Sequence, residues 1–133
     1  LEFLRQMVSS SVFRRGEITL KTLVDNTFIY QPHAIEVLSP GTYSTIQDYP
    51  GRLGYWDIGV PPSGPMDDLA FRFGNHLLNN GEDAAAMECT LDGPVLRFHS
   101  STVIAITGAS MSPMLDDVPI EQWRSIAVRA GQT

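Results

Sequence analysis

Nine residues, Gly59-Val-Pro-Pro-Ser-Gly-Pro-Met-Asp67, hold three prolines and two glycines directly before a run with helical periodicity. Each proline fixes its own φ and gives up its N–H, and each residue before a proline is pushed towards extended geometry. Most of the shape of this loop is therefore settled by local sterics before any tertiary contact forms. Pro61, Pro62 and Pro65 cannot donate hydrogen bonds, which leaves the backbone N–H groups of Ser63, Gly64, Met66 and Asp67, with the Ser63 hydroxyl beside them. Two readings stay open, a stiff structural corner and a rigid presenter of donors to a carbonyl oxygen or small anion. The residues by themselves favour the corner. Asp67 and Asp68 oppose a free anion, because a full carboxylate charge outweighs a helix-end dipole worth about 0.3–1 kcal/mol.

The run after the loop predicts a helix from about Met66 to Asn79. Leu69, Phe73 and Leu77 recur every four residues, Met66 and Ala70 widen the stripe, and Asp68, Arg72 and Asn75 fall away from it. Pro65 suits the first turn, Asp67 and Asp68 suit the positive end of the dipole, and Asn79-Asn80-Gly81 is a stop. Around this helix the pattern is short strands: Ile35–Leu38, Thr45–Gln47, Ala86–Leu91, Val95–His99, Thr102–Thr107 and Ile126–Arg129. Asp92-Gly93 predicts a hairpin between the third and fourth, Asp116-Asp117 a further turn, and the apolar Ile104-Ala-Ile106 a strand buried on both faces at the centre of the core.

Residues before Pro32 differ in texture. Leu1, Leu4, Met7 and Val8 fall at helical spacing, Ser9-Ser10-Ser11 weakens the pattern, and Gly16 stops it before a short helical or mixed segment at Thr19–Val24. A boundary near Tyr30 to Ala34 divides residues 1–33 from residues 34–133. The fold class expected is mainly β with one amphipathic helix, preceded by a short helical segment.

Charge and composition then exclude partners. A net charge of −6, with the nine Lys and Arg residues forming no cluster longer than Arg14-Arg15, repels a phosphate backbone, so no nucleic acid is expected. No apolar run approaches the ~20 residues that span a bilayer, and Leu1–Ser10 lacks the regions of a signal peptide, so the expectation is a cytoplasmic chain with no membrane partner. The lone Cys89 fits a reducing compartment. The chain does not begin with Met and stops at Thr133 in a strand-and-turn pattern, which suggests a piece of something longer.

Candidate chemistry is sparse. His33, His76 and His99 have no second ligand at a metal-binding interval, so no metal site is expected. Glu88 and Cys89 point to opposite faces of a strand, which leaves one of them buried and idle rather than a catalytic pair. There is no nucleophile elbow, Walker motif or dinucleotide fingerprint. Arg52, flanked by Tyr49, Tyr55 and Trp56, offers a cation among flat rings that suits a planar amide or ureido group, unless Asp48 or Asp57 simply pairs with it.

Val37–Asp67, the helix with Asn75 and Asn79-Asn80, Met87–Phe98 and Ile104–Trp123 together resemble the N-terminal half of the carboxyltransferase family once labelled allophanate hydrolase subunit 2. The resemblance implies a cyclophilin-like β-barrel, here incomplete. Its members are stand-alone subunits of 5-oxoprolinase-type complexes or domains within urea carboxylase and urea amidolyase. Leu1 to Asn26 resembles the C-terminal tail of a biotin carboxylase domain, which implies the urea carboxylase arrangement. The full enzyme would use ATP and Mg in a biotin carboxylase domain, carry biotin on a carrier domain of the same polypeptide, and pass a carboxyl group to urea to give allophanate. The chain alone would then be inactive. At matching positions, Arg52, Ser63, Gly64, Met66 and Asp67 are implied to contact substrate, with the catalytic residues unassigned. A regulatory or binding module, a 5-oxoprolinase-type subunit and an amidohydrolase are the competing readings; the absence of a Ser-Lys amidase signature counts against the last.

Overall fold

A computed structural model describes residues 1–25 and 27–133; Asn26, the last residue of the biotin carboxylase-like segment, lies outside the described residues. The chain forms two compact units, Leu1–Ala34 and Ile35–Thr133.

In the first unit, helix α1 (Glu2–Ser9) is followed by a single turn of helix, α2 (Ser11–Arg14). The serine run does not weaken a helix but joins two. Ser10 is extended (φ −67°, ψ 152°), and its hydroxyl oxygen caps α2 by accepting from Phe13 N–H at 3.2 Å. Leu1, Leu4 and Val8 face solvent, whereas Phe3 turns inward and meets Phe28 and Tyr30 edge-on at 5.8 and 5.6 Å. The helix was legible and its inward face was not, because the aromatic cover arrives from more than twenty residues away. Gly16 (φ +70°) closes the segment as expected. Thr19–Val24, read as a short helical segment, is a series of turns in which the buried Thr22 accepts from Thr19 N–H through its hydroxyl at 2.8 Å.

The second unit is mostly strands. β1 (Ile35–Ser39) pairs antiparallel with β4 (Val95–Phe98), and β2 (Tyr43–Gln47) with β3 (Ala86–Thr90). Ile35 opposes Phe98, Tyr43 opposes Thr90 and Gln47 opposes Ala86, so the two ladders share one register apart from a bulge between Val37 and Ser39 and form a ribbon bent at a corner. The hairpin expected at Asp92-Gly93 does not form. β3 and β4 pair with different strands, and the Leu91–Pro94 bend instead lies against the Pro40–Thr42 bend. Thr42 N–H donates to Asp92 Oδ1 at 2.8 Å, and a Cβ on Gly41 would stand 2.8 Å from the Gly93 carbonyl carbon. A local turn signal lost here to a longer-range pairing that satisfies nine opposed positions at once.

β5 (Thr102–Ala105) pairs with β8 (Ser125–Val128), and β6 (Met114–Leu115) with β7 (Val118–Pro119) across the Asp116-Asp117 turn, where both aspartates have positive φ. Among the described residues the ladders are two-stranded and no barrel closes, an arrangement compatible with an incomplete barrel. Ile104 and Ile106 are half-buried, not central: β5 has a ladder partner on one side, and the buried apolar side chains of this unit are Ala70, Phe98 and Val128.

Helix α3 (Asp68–Leu77) starts two residues later than expected. Pro65 precedes it, and Asp67 is its N-cap, the carboxylate accepting from Ala70 N–H at 2.9 Å. Asn79 (φ +55°) closes it. Asn80 N–H donates to Asn75 O and Asn79 N–H to His76 O, the paired bonds of a Schellman stop. The buried face corrects the sequence stripe, since Leu69 and Phe73 are exposed while Ala70 and Asn75 are each 4% exposed. Small residues let the helix approach closely. Thr107 Oγ1 donates to Ala70 O at 2.7 Å, and Asn75 Nδ2 donates to Ala84 O at 2.8 Å.

Candidate functional site

Two loops cross above the β2–β3 ladder. One runs on from β2 through Asp48-Tyr49-Pro50-Gly51-Arg52, and the other is the proline loop. Their backbones touch so closely that a Cβ on Gly51 would stand 2.5 Å from Pro62 O, and one on Gly64 3.1 Å from Pro50 O. Both glycines also have positive φ, 84° and 89°. Arg52 fastens the crossing twice, its N–H donating to Pro62 O at 2.6 Å and its Nη2 to Ser63 Oγ at 2.7 Å.

A concave polar pocket of about 400 Å³ opens beside this clasp, lined by Thr45 to Asp48, Arg52, Pro62, Ser63 and Ala85. That volume falls within the range of small-molecule sites. Ser63 has φ +58°, a left-handed backbone that costs a non-glycine residue about 1–3 kcal/mol and persists only where its surroundings hold it. Because Ser63 Oγ accepts from a guanidinium, its own proton is directed elsewhere, and the cation strengthens it as a donor. The N–H groups of Ser63 and Gly64 have no acceptor among the described residues. A polarised hydroxyl and free amides are the groups that stabilise an oxygen on which negative charge develops.

The structure therefore brings Arg52, Ser63 and Gly64 together and sets Met66 and Asp67 apart. Met66 N–H is taken by Glu88 Oε2 at 2.7 Å, while its side chain is 91% exposed. Asp67 is spent on the helix cap. Arg52 does not sit among the rings. Tyr49 is covered by the guanidinium of Arg72, 5.1 Å from the ring centroid, and Tyr55 and Trp56 are exposed. Arg72 is held by Glu82 at 2.9 Å, a bond that also keeps the Glu82 carboxyl below the usual carboxylate range. Among the described residues neither Asp48 nor Asp57 forms an ion pair with Arg52.

Glu88 and Cys89 also differ from expectation. Both are half-buried, Glu88 anchors the loop, and Cys89 receives only a long 3.8 Å contact from Ser44 Oγ. Sequence reading missed Thr45 and Gln47 as pocket walls. Their alternation with Ile46 puts two polar side chains on one face, and that signal could have found them; Gln47 Nε2 donates to Thr45 Oγ1 at 3.0 Å. Nothing local could have paired Glu88 with an amide 22 residues away.

Residues 58–133 match the family model described as carboxyltransferase domain, subdomain A and B. The chain is 48% identical over 131 residues to the urea amidolyase of Lachancea kluyveri, covering 98% of this chain and 7% of that protein. It superposes on the crystal structure of the Kluyveromyces lactis urea carboxylase with a TM-score of 0.86 at 46% identity, covering 98% of this chain and 11% of that one. It is also 42% identical over 98 residues to a 5-oxoprolinase subunit of Haemophilus influenzae, covering 74% of this chain and 31% of that protein. The chain thus spans less than a tenth of the length of the urea amidolyase it matches.

Proposed function

Because the chain belongs to the carboxyltransferase family defined by subdomains A and B, we propose that it forms part of the transferase site of a cytoplasmic, biotin-dependent urea carboxylase, where a carboxyl group is delivered to a urea nitrogen to give allophanate. The larger enzyme is ATP-dependent. A biotin carboxylase domain of the same polypeptide uses ATP, Mg and bicarbonate, a carrier domain bears biotin, and residues 1–33 are the C-terminal tail of the former and a linker. The relatives named urea amidolyase and urea carboxylase support this arrangement, because they match nearly the whole chain. The match to the Haemophilus influenzae 5-oxoprolinase protein falls short by about the length of that first unit.

The observation that carries the reading is the Arg52–Ser63 bond inside a polar pocket. Biotin, when bound, supplies the activated carboxyl group. The donor chemistry of the pocket fits its planar ureido head, since the Ser63 O–H, backed by Arg52, can hold a carbonyl oxygen. Thr45 and Gln47 offer neutral polar partners for a second small amide. Asp48 limits the pocket's appeal for a free anion.

Substituting Arg52→Ala in the full-length enzyme tests the proposal. Losing one polarised donor of this kind costs about 100-fold or more in turnover where it faces developing charge. Urea-dependent transfer should therefore fall steeply while bicarbonate-dependent ATP hydrolysis with free biotin is retained. Equal loss of both half-reactions, or of neither, removes the pocket from the transfer step. Turnover with 5-oxoproline in place of urea would move the chain to the other branch of its family.

A further inference from the structure

Resting on that reading of the site, we propose that Glu88 is a positioning residue for carboxyl transfer: its carboxylate holds the downstream end of the proline loop as Arg52 holds the upstream end, so that Ser63 keeps its left-handed conformation in the pocket. Glu88 lies on β3 directly opposite Thr45, a residue of the pocket wall, and opposed residues of an antiparallel pair share a face. Its Oε2 accepts from Met66 N–H at 2.7 Å, a charge-assisted bond of the stronger kind. The Met66 side chain is 91% exposed and holds nothing, so the tie is made by backbone and carboxylate.

The two clamps bracket the strained residue. Arg52 binds Pro62 O and Ser63 Oγ on one side, and Glu88 binds Met66 N–H on the other, with Ser63 (φ +58°) and Gly64 (φ +89°) between them. An arch with two positive-φ residues in succession relaxes if one foot is released. The donors then lose their aim, and small misplacements of a reacting group are costly in rate. Glu88 itself touches no substrate. By occupying Met66 N–H it also removes that donor from the loop's free set.

The test uses the full-length enzyme with urea as the probe, comparing Glu88→Ala, Glu88→Gln and Glu88→Asp. Glu88→Ala should lower the kcat of urea-dependent transfer about tenfold or more. The KM for urea should change less than about twofold, the pattern of an interaction expressed in the transition state. Glu88→Gln keeps an acceptor oxygen at the same reach and should restore most of the loss. Glu88→Asp keeps the charge, shortens the reach by one methylene and should resemble Glu88→Ala; it also provides the test if the alanine variant does not fold. Parent-like transfer in Glu88→Asp overturns the proposal, because the reach to Met66 N–H would then not matter; Glu88→Gln as impaired as Glu88→Asp overturns it too, because an acceptor at the right reach would then not suffice. Arg52→Ala separates the two failures. If it leaves transfer intact, the site itself is misplaced; if it abolishes transfer while Glu88→Asp is unaffected, only the role of Glu88 falls.

Discussion

Ser63 sets the terms at the residue scale, since its backbone is strained, its hydroxyl is polarised by Arg52 and its two neighbours are proline and glycine. Gly64 is needed twice over, by its φ of +89° and by Pro50 O at 3.1 Å from the place a Cβ would take. Gly64→Val therefore has to push two backbones apart, and Ser63→Pro cannot adopt a positive φ at all. Both variants of the full-length enzyme should lose urea-dependent carboxyl transfer by tenfold or more, on the order of the cost of misplaced donors, while biotin carboxylation continues. Unchanged transfer kinetics would return the loop to a purely structural role. The local stiffness of this loop was legible in its prolines. Its clasp was not, because Arg52 and Ser63 are separated by eleven positions and meet only when Gly51 and Gly64 cross.

Among the elements, the bent ribbon of β1–β2 and β3–β4 shows what a glycine at a corner does. Gly41 and Gly16 share the same φ of +70°, yet a Cβ on Gly41 would meet Gly93 and Asp92 backbone atoms at 2.8–2.9 Å, while one on Gly16 would meet nothing within 4 Å. Gly16→Ala should cost only the left-handed penalty, on the order of 1 kcal/mol. Gly41→Ala should cost roughly 3 kcal/mol or more, because backbone neighbours cannot turn aside as side chains do. Urea denaturation of the two variants checks this, and equal midpoints would mean that the two bends are not pressed together. All six predicted strands are present within two residues of the expected starts, because alternation and turn residues are local signals. Their pairing was not legible. The Asp92-Gly93 signal pointed to a hairpin, and the register chose the crossing of two bends.

For the molecule as a whole, acid sensitivity follows from the ties that aspartates make. Thr42, through its hydroxyl first and its N–H second, holds the Asp92 carboxyl below the ordinary aspartate range; Thr133 N–H and then the Gln132 side chain do the same for Asp116. A carboxyl depressed in the folded state contributes stability in full above its unfolded value of about 3.9 and loses it as pH falls through the lower folded value. Asp92→Asn should therefore lower the Tm at neutral pH, and the difference from the parent should shrink as pH drops below about 4. A Tm difference that stays constant across that window would show that Asp92 acts through packing and not through its charge.

Much of this protein was written in short-range chemistry. Proline and glycine placement made the loop rigid, aspartate and asparagine marked helix ends, and period-two alternation located strands, since each depends on atoms within a few residues. The buried faces, the pairing of strands and the clasp were decided by tertiary structure. Phe3 turned inward because Phe28 and Tyr30 came to meet it, Asn75 was buried because Ala84 O needed a donor, and Glu88 reached Met66 across 22 residues. Contacts of that kind depend on which distant partner arrives with the right shape and charge, and no local pattern carries that information.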